Sequence, residues 1–522
     1  MPPRRLSSLT LMLGTAVLVG WCARADFARQ GDAWEYLTML EAFARHGSFD
    51  IRPDDVDAVF AGIDAAQAAA NPGISLPSAR ELYGDELPHR FVPDSRGRLY
   101  ADHFWLYSLA AYPARLALRA AGLPGFNALI VTNALLFGLA LGAVLLGARG
   151  AWTRRLAWAL LLVVTPVSWY VTFTGVEVFC WALVTMALVA LDRDNYGWAA
   201  VAAGLAAAQT PPLGIFAAAP LAVAVWRGHW TGAARAAAGA SVAVVSAGYY
   251  LFHFGQPTLL TRTNTDLALV SVSRTAGLLF DLNIGLLPYV PVLLVVTPWA
   301  LARHVGRRDV RALAVATTLA GVMLAVQVQV NWNSDGRGMH RYLVWLLPIL
   351  IWLVLDAWEG RARLTLVAAS VVTSGAILLF DPPGPANWLE HRAIARRVMQ
   401  EAPALYNPEH ETFLERSAHG EPPPVWLLQG RRSGWMAALP VAHGRPTGEV
   451  TKLLVHRESA ERLTNRFRID PAYLPELLAR ARTSNAPIYV HPPPGAVWAR
   501  TGRVDGLYAP PPQGLFYEPP RP

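Results

Sequence analysis

Apolar blocks long enough to cross a bilayer recur from the N-terminus to about residue 380 and then stop. A spanning helix needs about 20 mostly apolar residues, and in hydrocarbon a continuous block must satisfy its own backbone hydrogen bonds, which a helix does. With 53% hydrophobic and 16% charged residues among 522, the chain reads as a polytopic α-helical membrane protein of about eleven spans. The first covers Leu6 to Trp21; the others are centred near Leu136, Leu162, Leu183, Ala203, Pro220, Val244, Leu293, Leu319, Ile349 and Ala369. Residues 1–380 therefore form the membrane domain. Roughly the last 140 residues are rich in Pro, Arg, His and Glu and contain no spanning run. Helix patterns at Asn387–Pro403 and Pro471–Arg482, and strand patterns at Val425–Leu428, Lys452–His456 and Ile488–His491, predict a small soluble α/β domain over 381–508. A flexible Pro-rich tail follows at 509–522.

The net charge of +8 comes from Arg clusters in short loops, so nucleic acid is not an expected partner. Arg149, Arg154 and Arg155; Arg227 and Arg235; Arg303, Arg307, Arg308 and Arg311; and Arg361 and Arg363 all fall inside the cell if the basic N-terminus does. Counting Phe104 to Gly122 as a span would reverse every one of these loops. That segment carries Arg115 and Arg119, and is read as a helix lying in the interface. The expectation is a multi-pass plasma (inner) membrane protein with a cytoplasmic N-terminus and an extracytoplasmic C-terminal domain, periplasmic in a Gram-negative cell. The first span is read as an uncleaved anchor, although Ala23-Arg24-Ala25 would suit a signal-peptide cleavage site. Cys22 and Cys180 both lie in apolar segments, which excludes a disulfide framework and a thiolate metal site. Walker A, dinucleotide-binding and His-Glu-x-x-His patterns do not occur.

This topology leaves four substantial outer pieces: a first loop at 25–125 with interfacial helices, a loop from His253 to Asn283, a short loop from Asn331 to His340, and the soluble domain. Loops of this size are uncommon without a functional reason. If Trp34 to Arg45 is helical, Asp32, Glu35, Tyr36 and Met39 share a face. Asp32 and Glu35 read locally as an N-cap and its capping-box partner, or as paired acids of a site. Asp102-His103 returns the chain to the membrane beside the aromatic run Phe104-Trp105-Leu106-Tyr107, readable as an interfacial anchor or as part of that site. Glu177 sits at the outer end of a span, where a carboxylate is expensive unless it faces a cavity or a partner. Arg262, Arg274, Arg337, His340 and Arg341 place positive charge outside, against the topology trend, and suit an anionic ligand or lipid headgroups.

Asp32-x-x-x-Tyr36 after the first span, Asp102-His103 before an aromatic interfacial helix, the second acid Glu177, and Arg341-Tyr342-Leu343 opening a late helix resemble the integral-membrane GT-C glycosyltransferases. That superfamily includes the protein O-mannosyltransferases and the lipid A aminoarabinose transferases. The resemblance spans most of residues 1–380. Gly285-Leu-Leu-Pro-Tyr289-Val-Pro291 also looks like a helix start found in some bacterial members. The family's His-Pro-Pro element survives only as His103-Phe104-Trp105, and a basic residue at the start of the next helix is replaced by Phe126-Asn127-Ala128-Leu129.

The resemblance nominates Asp32 and Glu177 as catalytic; taken with the positive charge on the outer face, it makes Tyr36, His103, Arg262, Arg337, His340 and Arg341 the expected donor- or phosphate-binding residues. It implies transfer of a sugar from a polyprenyl-phosphate donor to a hydroxyl of a glycan, lipid or protein acceptor at the outer face, with inversion. Membrane lipids are the other expected partner. No cofactor is assigned, and a divalent metal stays open. A carboxylate with an unperturbed pKa near about 3.9 can act as the base only in concert with leaving-group departure. The alternatives are a transporter or flippase of lipid-linked sugars, or a non-catalytic subunit of an envelope-glycan assembly.

Overall fold

The computed structural model describes residues 3–25, 32–70, 78, 80, 91–259, 265–333, 338–382, 387–418, 434–440, 450–455, 467–468, 479, 488–490, 497–498 and 515–518. The protein is mostly helical and divides into two compact units. The first comprises Met1–Arg262, Tyr289–Val326 and Arg341–Gly375; the second comprises Thr263–Pro288, Gln327–His340 and Ala376–Pro522. Among the described residues, Gly125–Gly147, Trp230–Phe254, Val310–Val328 and Gly360–Phe380 are long and apolar enough to cross a membrane, and Leu9–Cys22 and Pro211–Trp226 are shorter apolar helices. Val244, Phe252, Val372 and Leu379 stand exposed on these segments. An apolar outer surface of that kind suits lipid better than water.

The first unit begins with α1 (Pro3–Cys22), α2 (Ala33–His46), α3 (Pro53–Ala70), α4 (Leu106–Ala120), α5 (Ala128–Gly142), α6 (Trp152–Val164), α7 (Glu177–Asp192) and α8 (Tyr196–Gln209). Every centre expected after the first span lies on a helix. α2 stops at Gly47, whose φ of 69° lets its N–H bond Phe43 O, and Arg45 and His46 occupy its last turn, where positive charge complements the helix dipole. α4 falls within the segment set apart as interfacial. Arg115 Nε and Nη2 bond Glu41 Oε2 of α2 at 3.0 and 2.6 Å, which compensates charge that would otherwise be buried alone. α8 packs against α7 and against the helix Trp230–Ala240. At the latter crossing a Cβ on Gly239 would lie 2.7 Å from Gly197 O, and one on Gly204 would lie 2.9 Å from Gly239 O, so both positions need glycine for the backbones to meet.

The polar ends of this bundle differ in character. At the C-terminal end of α7, Asp192 accepts from the Arg149 N–H and faces Arg154 at 3.2 Å, while the neighbouring Asp194 meets Arg149, Arg227 and Arg311 at 2.6, 2.7 and 3.2 Å. Arginines from three separate loops thus converge on one end. Glu177 opens the other end of α7, and fifteen residues at 1.5 Å each set the two ends about 22 Å apart.

In the second unit, β3 (Gly434–Pro440), β4 (Val450–Val455), β6 (Ile488–Val490) and β8 (Leu515–Glu518) form an antiparallel sheet in the order β6-β4-β3-β8. Its register includes Leu453 opposite Val490 and Ala437 opposite Leu515. β5 (Phe467–Arg468) pairs with β7 (Val497–Trp498), and β1 (Phe91–Pro93) with β2 (Leu99–Ala101) in the first unit. β4 and β6 fall on two of the expected strands, and helix Ala393–Glu401 falls in the expected Asn387–Pro403 window. β8 lies within 509–522, whose composition reads as a flexible tail, and its pairing with β3 carries the sheet past residue 508. The strand expected at Val425–Leu428 lies outside the described residues, as does the helix at Pro471–Arg482 apart from Ala479.

Candidate active site around Asp32

Asp32 occupies the N-cap position of α2 with φ −84° and ψ 21°, and its side chain makes no capping hydrogen bond. An N-cap side chain reaches the first-turn amides from an extended backbone, which Asp32 does not have. The capping-box reading is therefore wrong for Asp32. Its Oδ2 lies 3.0 Å from Arg341 Nη1 and 3.3 Å from His103 Nε2. On the far side of the same imidazole, Nδ1 hydrogen bonds Glu35 Oε2 at 2.8 Å, with Asp102 Oδ1 as close. Glu35 and Asp102 also hydrogen bond each other. Three carboxylates and one guanidinium thus gather about His103.

Several local devices hold this arrangement. β2 leads directly into Asp102-His103, and Tyr250 donates its hydroxyl to Ala101 O and His103 O at 3.2 and 2.6 Å. Gln209, at the end of α8, donates to Phe104 O at 2.9 Å and accepts from Tyr107 N at 2.8 Å, fixing the entry to α4. Tyr36 stands edge-on to His103 and Tyr107, at 5.8 and 5.4 Å between ring centroids. Glu177, buried at the first position of α7, approaches Arg341 Nε at 3.9 Å, and its Oε2 has no hydrogen-bond partner. A Cβ at Gly175 would collide with the Glu177 carboxylate and the Phe173 ring, which explains the glycine in Thr174-Gly-Val-Glu177.

Electrostatics follow from this crowding. Burial pushes Glu35 up to about 7 against the pull of His103. Burial alone would lower the His103 imidazole, but Asp32, Glu35 and Asp102 outweigh it and hold the ring well above its usual range. Burial would raise Asp102, yet His103 and the Glu35 hydrogen bond keep it below the ordinary carboxylate value. The resulting pattern is an imidazolium between Asp32 and a carboxyl–carboxylate pair that shares a proton. Asp32, Glu35 and His103 also present ligand atoms within 4.8 Å of one another, so two carboxylate oxygens and an imidazole nitrogen could hold a divalent cation once the ring gives up its proton.

The structure brings Asp32, Tyr36, His103, Glu177 and Arg341 together within the first unit. Glu35 and Asp102 join them; the sequence offered both as possible members of the site, but neither was among the residues given a catalytic or donor-binding role. The signal available for Glu35 was its three-residue spacing from Asp32, which also spells a capping box. Arg262 and Arg337 lie outside the described residues. His340 belongs to the second unit, where it is buried with its ring 4.8 Å from Trp332 and its backbone N–H bonded to Ile284 O. Arg274 bonds Gln327 O and Gln329 O at 2.8 and 2.6 Å and covers the Trp332 ring. Nearby, Glu411 accepts from the amides of Trp332 and Asn333, and Arg416 and Glu415 grip the Asn333 side chain. These interactions give the Glu409–Arg416 segment a structural role in its unit.

Comparison with known protein families, with characterised proteins and with solved structures finds no match to this chain.

Proposed function

We propose that the chain is a GT-C-type membrane glycosyltransferase which moves a sugar from a polyprenyl-phosphate donor to an acceptor hydroxyl at the outer face of the membrane. The observation that carries this reading is the placement of Asp32 between Arg341 and His103, at 3.0 and 3.3 Å, at the end of the bundle opposite the arginine network. Nucleotide sugars are cytoplasmic, so an outward site is better served by a lipid-linked donor diffusing in the bilayer. About eleven spans, a cytoplasmic N-terminus and an extracytoplasmic C-terminal α/β domain belong to the same proposal.

In this reading Asp32 orients the acceptor hydroxyl and takes its proton as the hydroxyl oxygen bonds the anomeric carbon. The bond from that carbon to the phosphate oxygen breaks with its electron pair, and the configuration inverts. Arg341 and the His103 imidazolium face the phosphate charge that develops, where preorganised donors act most strongly. Glu35 and Asp102 hold the imidazole in place, Glu177 positions Arg341, and Tyr36 walls the sugar side. A divalent cation held by Asp32, Glu35 and a deprotonated His103 would take the place of the imidazolium as the charge facing the leaving phosphate.

The test is incubation of purified protein with a panel of polyprenyl-phosphate sugars, following release of polyprenyl phosphate. Asp32→Asn is expected to lower release on the order of 10²- to 10⁴-fold in a folded protein. Full activity in that variant, or no turnover with any donor, would overturn the assignment.

A further inference from the structure

A cavity unrelated to the groups around Asp32 lies on the far side of α2 from Glu35. It has a volume of about 130 Å³ and is bounded by α2, α3, α4 and the Pro124–Phe126 turn. A water molecule occupies about 30 Å³, so the space admits a phosphate group and its nearest methylenes. Its lining is ordered by polarity: Leu37, Leu40, Val59 and Phe126 form apolar walls, and Glu41, Arg115 and Arg119 form one polar edge. Arg115 is buried and neutralises Glu41 by two hydrogen bonds, whereas Arg119 reaches the same carboxylate only at 3.4 Å with its side chain 58% exposed. One positive charge at this edge is therefore in surplus. Gly62 leaves the α3 wall open, because a Cβ there would meet nothing within 4 Å. The turn at Gly125 also begins the apolar segment Gly125–Gly147, so the cavity sits where a membrane-crossing type of helix ends.

We propose that this cavity is a binding site for an anionic phospholipid of the surrounding bilayer. The phosphate is held by the Arg119 guanidinium, and the first part of an acyl chain runs along Leu37, Leu40, Val59 and Phe126. The charge surplus selects an anion, the apolar walls select an amphiphile over free phosphate, and the position on the opposite face of α2 separates it from the groups around Asp32. The proposal does not depend on the transferase reading, since occupancy is measured without turnover.

The experiment titrates detergent-purified full-length protein with phosphatidylglycerol and counts bound lipid by native mass spectrometry. Inorganic phosphate and polyprenyl phosphate serve as competitors. A basic residue near a membrane surface contributes about 1 kcal/mol to anionic lipid binding, so Arg119→Glu, a change of two charges, is expected to weaken phosphatidylglycerol about 25-fold. Arg119→Lys should lose only a few-fold, because it keeps the charge and loses the fork. Gly62→Leu fills the cavity without touching a charge and favours the helix, and it should also abolish the bound lipid. Unchanged binding in Arg119→Glu or in Gly62→Leu would overturn the site. Full displacement by millimolar inorganic phosphate would reassign it to a free anion, and one-for-one displacement by polyprenyl phosphate would reassign it to the donor.

Discussion

Glu35 is held by a buried proton, and that gives the site a pH signature. Its pKa is raised from 4.5 to about 7 by burial, so the folded state binds a proton that the unfolded chain releases. Stability from this group is fully present below about pH 4.5 and is lost as pH rises through about 7. The raised His103 acts in the same direction: its contribution is complete below about pH 6.5 and disappears only as pH climbs past its elevated folded value. Asp102, with a lowered value, contributes above about 3.8 and loses its share only in stronger acid, outside this window. The melting temperature of the wild-type protein should therefore fall between pH 5 and pH 8. Glu35→Gln, which mimics the protonated acid, should flatten that fall by up to about 3 kcal/mol in stability; parallel wild-type and variant curves would refute the assignment. Arg341 permits a separate test. A lysine cannot meet Asp32 and Glu177 together, so Arg341→Lys should lower sugar transfer on the order of 10- to 100-fold with little change in melting temperature. Equal rates would remove Arg341 from the site. The residue types here were readable from sequence, but their convergence was not. Asp32 and Arg341 are 309 positions apart, and no periodicity links them. Glu35 satisfied a local rule well enough to hide its distant partner.

At the scale of elements, the pairing of α2 with α4 makes Glu41 a sensitive position. Removing its carboxylate by Glu41→Ala leaves the buried Arg115 without the oxygen that accepts both of its hydrogen bonds, which should cost about 3–5 kcal/mol. The double change Glu41→Leu with Arg115→Met should recover much of that loss, because no charge then remains buried. Thermal unfolding in detergent checks both, and a double variant as unstable as the single one would show that packing, not charge, is at stake. The helices themselves were legible, since apolar runs placed every later centre on one, although only four of the described helices are long and apolar enough to cross a membrane; Arg115 and Arg119 marked α4 as unlike its neighbours. The glycine crossing between α8 and Trp230–Ala240 was not. Gly197, Gly204 and Gly239 are spaced like many glycines in Ala-rich helices, and only the approach of the two backbones explains them. The C-terminal strands were legible in part: β4 and β6 carry β-branched and aromatic runs, whereas β3, Gly434-Trp-Met-Ala-Ala-Leu-Pro440, has almost no strand composition and owes its state to pairing with β4 and β8.

For the whole molecule, the division into units cuts across chain order in a way that composition could not announce. Gln327–His340 falls in the second unit, while Arg341, the next residue, falls in the first. Hydropathy reads such a loop as a short connection, because its partners on Glu411–Arg416 lie about eighty positions away. The arginine-rich loops were easier to read, since their shared charge predicts that they gather on one side. In the structure Arg149, Arg227 and Arg311 meet at Asp194, so these loops share one end of the first unit regardless of which compartment that end faces. That separation turns the proposed orientation into a measurable claim. Cys22 and Cys180 are both buried, so the wild-type chain should react poorly with a membrane-impermeant maleimide and give a clean background. Arg308→Cys, beside the arginine network, should label only after the membrane is opened. Ser95→Cys, in the exposed turn between β1 and β2, should label in intact cells of a Gram-negative host whose outer membrane has been made permeable. Glu359→Cys, on the turn before Gly360–Phe380, should follow Arg308→Cys, because the proposed topology puts the start of that helix, with Arg361 and Arg363 in its first turn, on the cytoplasmic side. Labelling of Arg308→Cys from outside, with Ser95→Cys protected, would invert the topology and put Asp32 in the cytoplasm. A nucleotide sugar would then become the natural donor, and the lipid-linked mechanism would fail together with the orientation.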